Sequence, residues 1–221
     1  MNQSPDSHGD SRPAVGHRDR IVVVAGLRAN VPDHWQTRFA AAHPQVTVVD
    51  SFSRSKLDLD GRIRDLQDAV DRLDGPATIL AHSAGVLVTV HWAARSTTPV
   101  RGALLATPPD LTDELPAQYP RLAQLAEAGW LPIPTDRLRF PSVLGVSAND
   151  PLGHASRVRA LGQAWGSEAV DLGAVGHLNP EAGYGEWPGL ADLLNRTQAL
   201  AAAAIDAIAV GTRAPGATAH R

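Results

Sequence analysis

The 221-residue chain contains no cysteine, which excludes disulfide bonds, thiolate nucleophiles and cysteine-ligated metal sites. It also lacks an apolar run long enough to span a bilayer. The polar N-terminal segment, residues 1–20, has no apolar stretch of the kind found in signal peptides. Together these absences predict a cytoplasmic protein.

An excess of charge of one sign is also missing. The 20 lysine and arginine residues stand against 23 acidic residues, which gives a formal net charge of −3. Because no basic surface is indicated, the sequence predicts neither a nucleic-acid partner nor binding to a membrane. We expect a monomer that binds a small acyl substrate.

Short apolar runs alternate with amphipathic stretches along the chain. Six runs predict strands, at residues 21–24, 46–49, 77–80, 103–106, 142–146 and 169–172. Most are continuously apolar, which is typical of strands buried on both faces of a parallel sheet. Helical periodicity lies between them. The sequence therefore predicts an α/β fold of three layers, with a doubly wound, mostly parallel sheet of about six strands.

The domain boundaries follow from composition. Residues 20–210 are predicted to form a single domain, with residues 1–19 as a disordered arm and residues 211–221 as a disordered tail. The proline-rich segment 107–139 is predicted to be a loop excursion, because it is too short for a cap domain.

The third predicted strand runs directly into a helix through Ala81-His82-Ser83-Ala84-Gly85. This is the G-x-S-x-G nucleophile elbow with alanine in the first position. Such a turn exposes the Ser83 hydroxyl, and it leaves the Ala84 N–H at a helix N-terminus, where it can bind an oxyanion. The alternative is that Ser83 is only a helix N-cap, because strand–serine–helix is also a capping context.

Two further candidates follow later strands. Asp150 lies just after the fifth strand, and His177 lies in a glycine-bounded loop after the sixth. The order Ser, Asp, His is that of α/β-hydrolases, so the sequence predicts Ser83 as nucleophile, His177 as base and Asp150 as the acid that orients it. The alternatives are an Asx turn at Asp150 and a solvated loop histidine at His177.

The other candidates surround this predicted triad. The N–H of Leu27, in the turn after the first strand, is the predicted second oxyanion donor, with a plain βα turn as the alternative. We expect four residues to line the substrate pocket, although core packing is the alternative for the tryptophan and the histidine: Arg28, Trp35, His82 and Asp110. Neither metal-ligand spacing nor a phosphate-binding loop occurs, so no metal site and no cofactor are predicted.

Taken together, these motifs resemble the small serine hydrolases related to retinoblastoma-binding protein 9 and the bacterial YdeN-like proteins. The matching segments run in order from His34-Trp35-Gln36 through the elbow, Ala106-Thr107-Pro108-Pro109-Asp110, Ser147-Ala148-Asn149-Asp150-Pro151, Ala164-Trp165-Gly166-Ser167 and Gly176-His177-Leu178-Asn179 to Gly183-Tyr184-Gly185-Glu186-Trp187-Pro188. The resemblance implies a compact α/β hydrolase without a large lid, in which Ser83, Asp150 and His177 form the triad.

The chain departs from that family in two places. Asp50-Ser51-Phe52 stands where such proteins tend to carry a tryptophan, and Ala84 stands where leucine or methionine often follows the nucleophile. We therefore expect the substrate pocket of this chain to differ from the pockets of related proteins.

The predicted reaction is hydrolysis of an ester, thioester or amide through an acyl-enzyme intermediate. Two alternatives stay open: an acyltransferase or cyclase that uses the same triad, and a weakly catalytic binding protein on a hydrolase scaffold. Without a lid, short acyl chains are expected to be preferred over long ones. The candidate walls of a modest pocket are Leu111, Leu115, Tyr119, Leu122 and Trp130.

Overall fold

Six parallel strands form one sheet in the computed structural model, which describes residues 20–28, 31–49 and 55–211. In chain order the strands are β1 (Ile21–Val24), β2 (Thr47–Val48), β3 (Thr78–His82), β4 (Gly102–Ala106), β5 (Ser142–Val146) and β6 (Glu168–Asp171). Their spatial order is β2-β1-β3-β4-β5-β6. The chain thus winds outwards in both directions from β1 and β3, and the predicted doubly wound α/β architecture is confirmed.

Helices cover both faces of the sheet. They are α1 (Trp35–Ala42), α2 (Leu59–Asp71), α3 (Ala84–Arg95), α4 (Leu122–Glu127), α5 (Ala155–Trp165) and α6 (Leu190–Gly211), with a short 3₁₀ helix at Pro180–Ala182. Helices α1 and α6 pack against the strand side chains on one face of the sheet and form one apolar cluster with them. Helices α2, α3 and α5 pack against the strand side chains on the other face and form a second cluster. In the described part of the chain, no helix is both long and apolar enough to cross a membrane.

The burial of the strands explains their continuously apolar sequences. β1, β3, β4 and β5 are buried along their whole length, because each lies between two neighbouring strands and two helical layers. The edge strands β2 and β6 are only partly buried. The alternating burial of β6 agrees with its mixed polar and apolar sequence, Glu168 to Asp171. β2 spans two residues, fewer than the four predicted at 46–49.

One helix within the 107–139 excursion is absent from the sequence prediction. Helix α4 has six residues, and its buried side chain Leu125 is 2% exposed. Its N-terminus is closed by the Gln124 side chain, whose Oε1 accepts a hydrogen bond of 3.0 Å from the Arg121 N–H. A helix this short contains too few apolar positions to produce a recognisable period.

The predicted termini fall largely outside the described residues. The arm at 1–19 and the tail at 212–221 both lie there, as does the Asp50-Ser51-Phe52 departure. Helix α6 includes Gly211, the residue at which the sequence predicts the tail to begin.

Candidate active site

Ser83 occupies the sharp turn between β3 and α3. Its backbone has φ 57° and ψ −127°, a strained conformation for a residue other than glycine. The turn is held by the Ser83 N–H, which donates a 3.0 Å hydrogen bond to the Ala106 carbonyl at the end of β4. The Ser83 side chain makes no capping hydrogen bond to α3. The alternative of a simple N-cap serine therefore does not describe this residue.

Close backbone approach explains the small residues around the elbow. A Cβ built on Gly85 would lie 2.2 Å from the Val24 carbonyl oxygen, so a side chain cannot be accommodated there. A Cβ on Gly26 would lie 3.2 Å from the Cβ of Ser83 and 3.5 Å from its Oγ, which places the β1 loop directly beside the hydroxyl. Ala81 is fully buried within β3, where its methyl group is tolerated in place of the usual glycine hydrogen.

His177 reaches Ser83 from the loop that follows β6. Its Nε2 lies 2.8 Å from Ser83 Oγ, and the residue is 5% exposed. His82 holds the loop in place, because its Nε2–H donates a 2.9 Å hydrogen bond to the His177 carbonyl oxygen. The Gly176 N–H next to it donates to Asn149 Oδ1 at 2.7 Å. The loop is therefore tied both to the strand that carries Ser83 and to the loop that carries Asp150.

Asp150 follows β5 and contacts the other side of the same imidazole. Its Oδ1 and Oδ2 lie 3.0 and 2.9 Å from His177 Nδ1, and its side chain is 3% exposed. Oδ1 also accepts a 2.9 Å hydrogen bond from the Leu152 N–H, which orients the carboxylate. Because an ionised carboxylate only accepts, the Nδ1 of His177 carries the proton, and Nε2 is left to accept from Ser83 Oγ.

Two cavities meet at Ser83. The larger cavity has a volume of about 140 Å³ and contains His177, and its lining combines the apolar Leu27, Val31 and Pro180 with polar residues, which are Arg28, His34, His82, Tyr119, Asn179 and Glu181. The apolar cavity has a volume of about 20 Å³ and is lined mainly by Leu87, Pro109, Leu111, Leu115, Leu125, Trp130 and Leu152. Leu27, Ser83 and Tyr119 border both cavities. Ser83 therefore lies between a larger cavity of mixed lining and a small apolar one.

The predicted pocket residues divide into two groups. Arg28 and His82 line the larger cavity. Trp35, in contrast, is 2% exposed and lies beneath the site, where its Nε1–H donates a 3.0 Å hydrogen bond to the Leu178 carbonyl. Its ring packs against Trp187 with centroids 4.9 Å apart, so it belongs to the core and the prediction that it lines the pocket is corrected.

Asp110 is the second correction. Its Oδ1 accepts a 2.9 Å hydrogen bond from the Thr112 N–H, and its Oδ2 accepts a 2.8 Å hydrogen bond from the His154 N–H. Both oxygens are thus used to join two loops, and the residue borders neither cavity at Ser83. Leu122, a candidate wall residue in the sequence, also lies outside the linings of these two cavities, whereas Leu111, Leu115, Tyr119 and Trp130 line the apolar one.

The residues of the predicted oxyanion donors border the cavities at Ser83. Ala84 is the first residue of α3 and borders the apolar cavity, and Leu27 borders both cavities. Both residues belong to segments that approach Ser83 closely, since Ala84 follows it directly and Leu27 follows Gly26.

Three polar residues of the larger cavity, His34, Asn179 and Glu181, are absent from the predicted site residues. Glu181 pairs with Arg28, with Oε1 and the guanidinium nitrogen 2.5 Å apart, and the Arg28 guanidinium also lies 5.4 Å from the centroid of the Tyr119 ring. His34 precedes α1. No local motif distinguishes Glu181, but His34 lies in the loop after β1, at the same sheet edge as Ser83.

The histidines around the triad are held neutral. Burial is the main cause that lowers the pKa of His82 well below its ordinary value, with the neighbouring His177 and His34 adding to it. In the described ranges, no group of three or more histidine, cysteine, aspartate or glutamate side chains is arranged to hold a metal ion.

Comparisons with known proteins agree with this architecture. Residues 21–196 match a protein-family model described as serine hydrolase. The chain is similar to a solved structure named as a YdeN-like hydrolase from Pectobacterium atrosepticum, with 26% identity, a TM-score of 0.67 and coverage of 84% of this chain and 92% of that one.

Two further structures are similar at lower identity. One is the ydeN gene product of B. subtilis, with 17% identity, a TM-score of 0.62 and coverage of 81% of this chain and 98% of that one. The other is named as a hydrolase of the α/β superfamily from Xanthomonas campestris, with 16% identity, a TM-score of 0.51 and coverage of 76% and 92%. At these identities the likeness shows the fold alone. Comparison with curated proteins found no match.

Proposed function

Because the chain belongs to the serine hydrolase family, we propose that it hydrolyses short-chain acyl esters of small molecules through Ser83, His177 and Asp150. The observation that carries the proposal is the continuous contact from Ser83 Oγ to His177 Nε2 at 2.8 Å and from His177 Nδ1 to the Asp150 carboxylate at 2.9 Å. This is the arrangement in which an imidazole can accept the serine proton while a carboxylate orients the ring.

The first half of the reaction forms the acyl-enzyme. His177 Nε2 accepts the proton of Ser83 Oγ–H as Oγ forms a bond to the ester carbonyl carbon, and the carbonyl oxygen becomes an oxyanion. When the carbon–oxygen bond to the leaving group breaks, the leaving oxygen takes the proton from His177. In the second half, water gives a proton to His177 and attacks the acyl carbon, and Ser83 regains its proton as the acid is released.

Backbone N–H groups at Ala84 and Leu27 are the proposed oxyanion donors. Ala84 begins α3, where the unpaired N–H groups and the helix dipole favour negative charge. Leu27 follows Gly26, whose close approach to Ser83 Oγ brings the β1 loop within reach of the developing charge.

The two cavities suggest how a substrate is oriented. The leaving oxygen must receive its proton from His177 Nε2, so the leaving group occupies the side of Ser83 on which His177 lies. The larger cavity contains His177, whereas His177 does not line the apolar cavity. We therefore assign the leaving group to the larger cavity and the acyl chain to the apolar cavity.

The volume of the apolar cavity limits the acyl chain. At about 20 Å³ this cavity is far smaller than the larger cavity of about 140 Å³, so it favours a short acyl group such as acetyl or propionyl. The structure thereby supports the preference for short acyl chains that the sequence predicts.

Covalent labelling tests the assignment of the nucleophile. A fluorophosphonate probe is expected to modify the wild-type protein on the peptide that contains Ser83, and a folded Ser83→Ala variant is expected to remain unlabelled and inactive towards p-nitrophenyl acetate. Labelling that persists in the variant, or label found on another serine by peptide mapping, would contradict the proposal.

A further inference from the structure

His34 brings a second imidazole to the larger cavity, beside the proposed triad. The residue lines the cavity together with Ser83 and His177, and it is 8% exposed. Its Nδ1 accepts a 3.2 Å hydrogen bond from the Gln36 N–H, which caps α1. A neutral imidazole has a single N–H, so in this tautomer the proton resides on Nε2.

The ring is held neutral and in a fixed orientation. Burial, with a smaller contribution from the nearby His177, lowers the pKa of His34 to about 4. The ring packs against His82 with centroids 4.7 Å apart and against Trp35 with centroids 5.4 Å apart. Within the described residues, Nε2 has no hydrogen-bond partner. His34 therefore offers one neutral, oriented N–H donor in the cavity assigned to the leaving group.

We propose that His34 determines leaving-group specificity by donating a hydrogen bond from Nε2–H to an acceptor oxygen within the leaving group. The inference rests on the proposed function, because the ester oxygen that departs lies on the His177 side of Ser83. A leaving group that carries an ether or hydroxyl oxygen satisfies this donor, whereas a plain alkyl group leaves it unpaired in a confined space. The substrate class is thus esters of alkoxy or polyhydroxy alcohols rather than of simple alkanols.

Pairs of acetate esters matched in length test this. The esters are 2-methoxyethyl against butyl acetate and 3-methoxypropyl against pentyl acetate, and the readout is the ratio of kcat/KM within each pair. The change in this ratio between wild type and variant is independent of the intrinsic reactivity of the esters. Ser83→Ala is included, and loss of all four activities in it is the separate test of the proposed function.

Two variants separate the donor from the helix cap. In His34→Gln the amide N–H lies near the position of the imidazole Nε2, so this variant retains the donor. In His34→Asn the amide oxygen lies near the position of Nδ1, so this variant retains the helix cap. For the better of the two pairs, the preference for the alkoxy ester is expected to fall about five- to tenfold in His34→Asn and to persist in His34→Gln.

Three results would overturn the inference while Ser83-dependent hydrolysis remains. The first is an unchanged preference in His34→Asn for both pairs. The second is loss of the preference in both variants, which would indicate a role of the intact ring. The third is loss in His34→Gln alone, which would indicate that capping of α1 controls the site. Thermal unfolding of each variant, measured alongside, establishes that the ratios come from folded protein.

Discussion

Truncation of Leu115 is the most direct way to change the proposed preference for short acyl chains. It lines the apolar cavity from the 107–139 excursion and is only partly buried, so its truncation opens the pocket without removing a fully buried core side chain. Leu122 is a matched control, because it is a partly buried leucine of the same excursion that packs against the same apolar cluster but does not line the cavity.

The size of the effect follows from the volume that is released. Leu115→Ala removes about three carbon atoms from the wall, and this space admits about three further acyl carbons. At about 0.8 kcal/mol for each buried methylene, the gain for a chain that fills the space is about 2.4 kcal/mol, or about 60-fold in kcat/KM. We expect the wild-type optimum at about two to four acyl carbons and the Leu115→Ala optimum at about five to seven.

A series of p-nitrophenyl esters from acetate to dodecanoate measures this optimum. The diagnostic quantity is the ratio of kcat/KM for hexanoate and acetate in each protein, which is expected to rise in Leu115→Ala and to stay at the wild-type value in Leu122→Ala. An unchanged optimum in Leu115→Ala, or an equal shift in both variants, would refute the assignment of the acyl chain to the apolar cavity. A wild-type optimum at twelve carbons would refute it as well.

Two further predictions concern the elbow and the acid. Gly85→Ala places a Cβ 2.2 Å from the Val24 carbonyl oxygen and is expected to lower the free energy of unfolding in urea by about 3 kcal/mol or more. In the control Gly129→Ala the nearest contact is at 4.0 Å and φ is +82°, so a loss of about 1 kcal/mol is expected. Equal losses in the two variants would argue against the close approach at Gly85. Asp150→Asn is expected to lower kcat by about 10⁴, as loss of the orienting carboxylate does in serine proteases, while Asp110→Asn retains most of the activity; the reverse pattern in ester hydrolysis would exchange the two roles.

The central strands and the candidate triad could be anticipated because their signals are local. β1, β4 and β5 are continuous apolar runs, and their burial between two helical layers requires that pattern. Ser83, Asp150 and His177 each follow a predicted strand, and parallel strands bring their carboxyl ends to one edge. The structure places the three side chains in contact, while their catalytic role stays a proposal. The likeness to YdeN-like proteins and the serine hydrolase family are confirmed.

The features that escaped prediction depend on contacts between distant segments. Asp110 is predicted to line the pocket, but it borders neither cavity at Ser83, since its carboxylate accepts hydrogen bonds from two loop N–H groups. His34 and Trp35 are adjacent in sequence, yet the histidine lines the cavity and the tryptophan packs beneath it against Trp187. Neither difference has a signature in the neighbouring residues.

The sequence by itself determined the alternation of strands and helices, the elbow at Ser83 and the set of strand ends from which chemistry could arise. These are properties of short segments, set by hydrophobic runs and by the small side chains that a tight turn requires. Only the tertiary structure decided which loop residues enter the site, and it divided the surroundings of Ser83 into a larger cavity of mixed lining and a small apolar cavity. The physical reason is that loop side chains are oriented by hydrogen bonds and packing partners far away in the chain, as His177 is by His82 and Asp150.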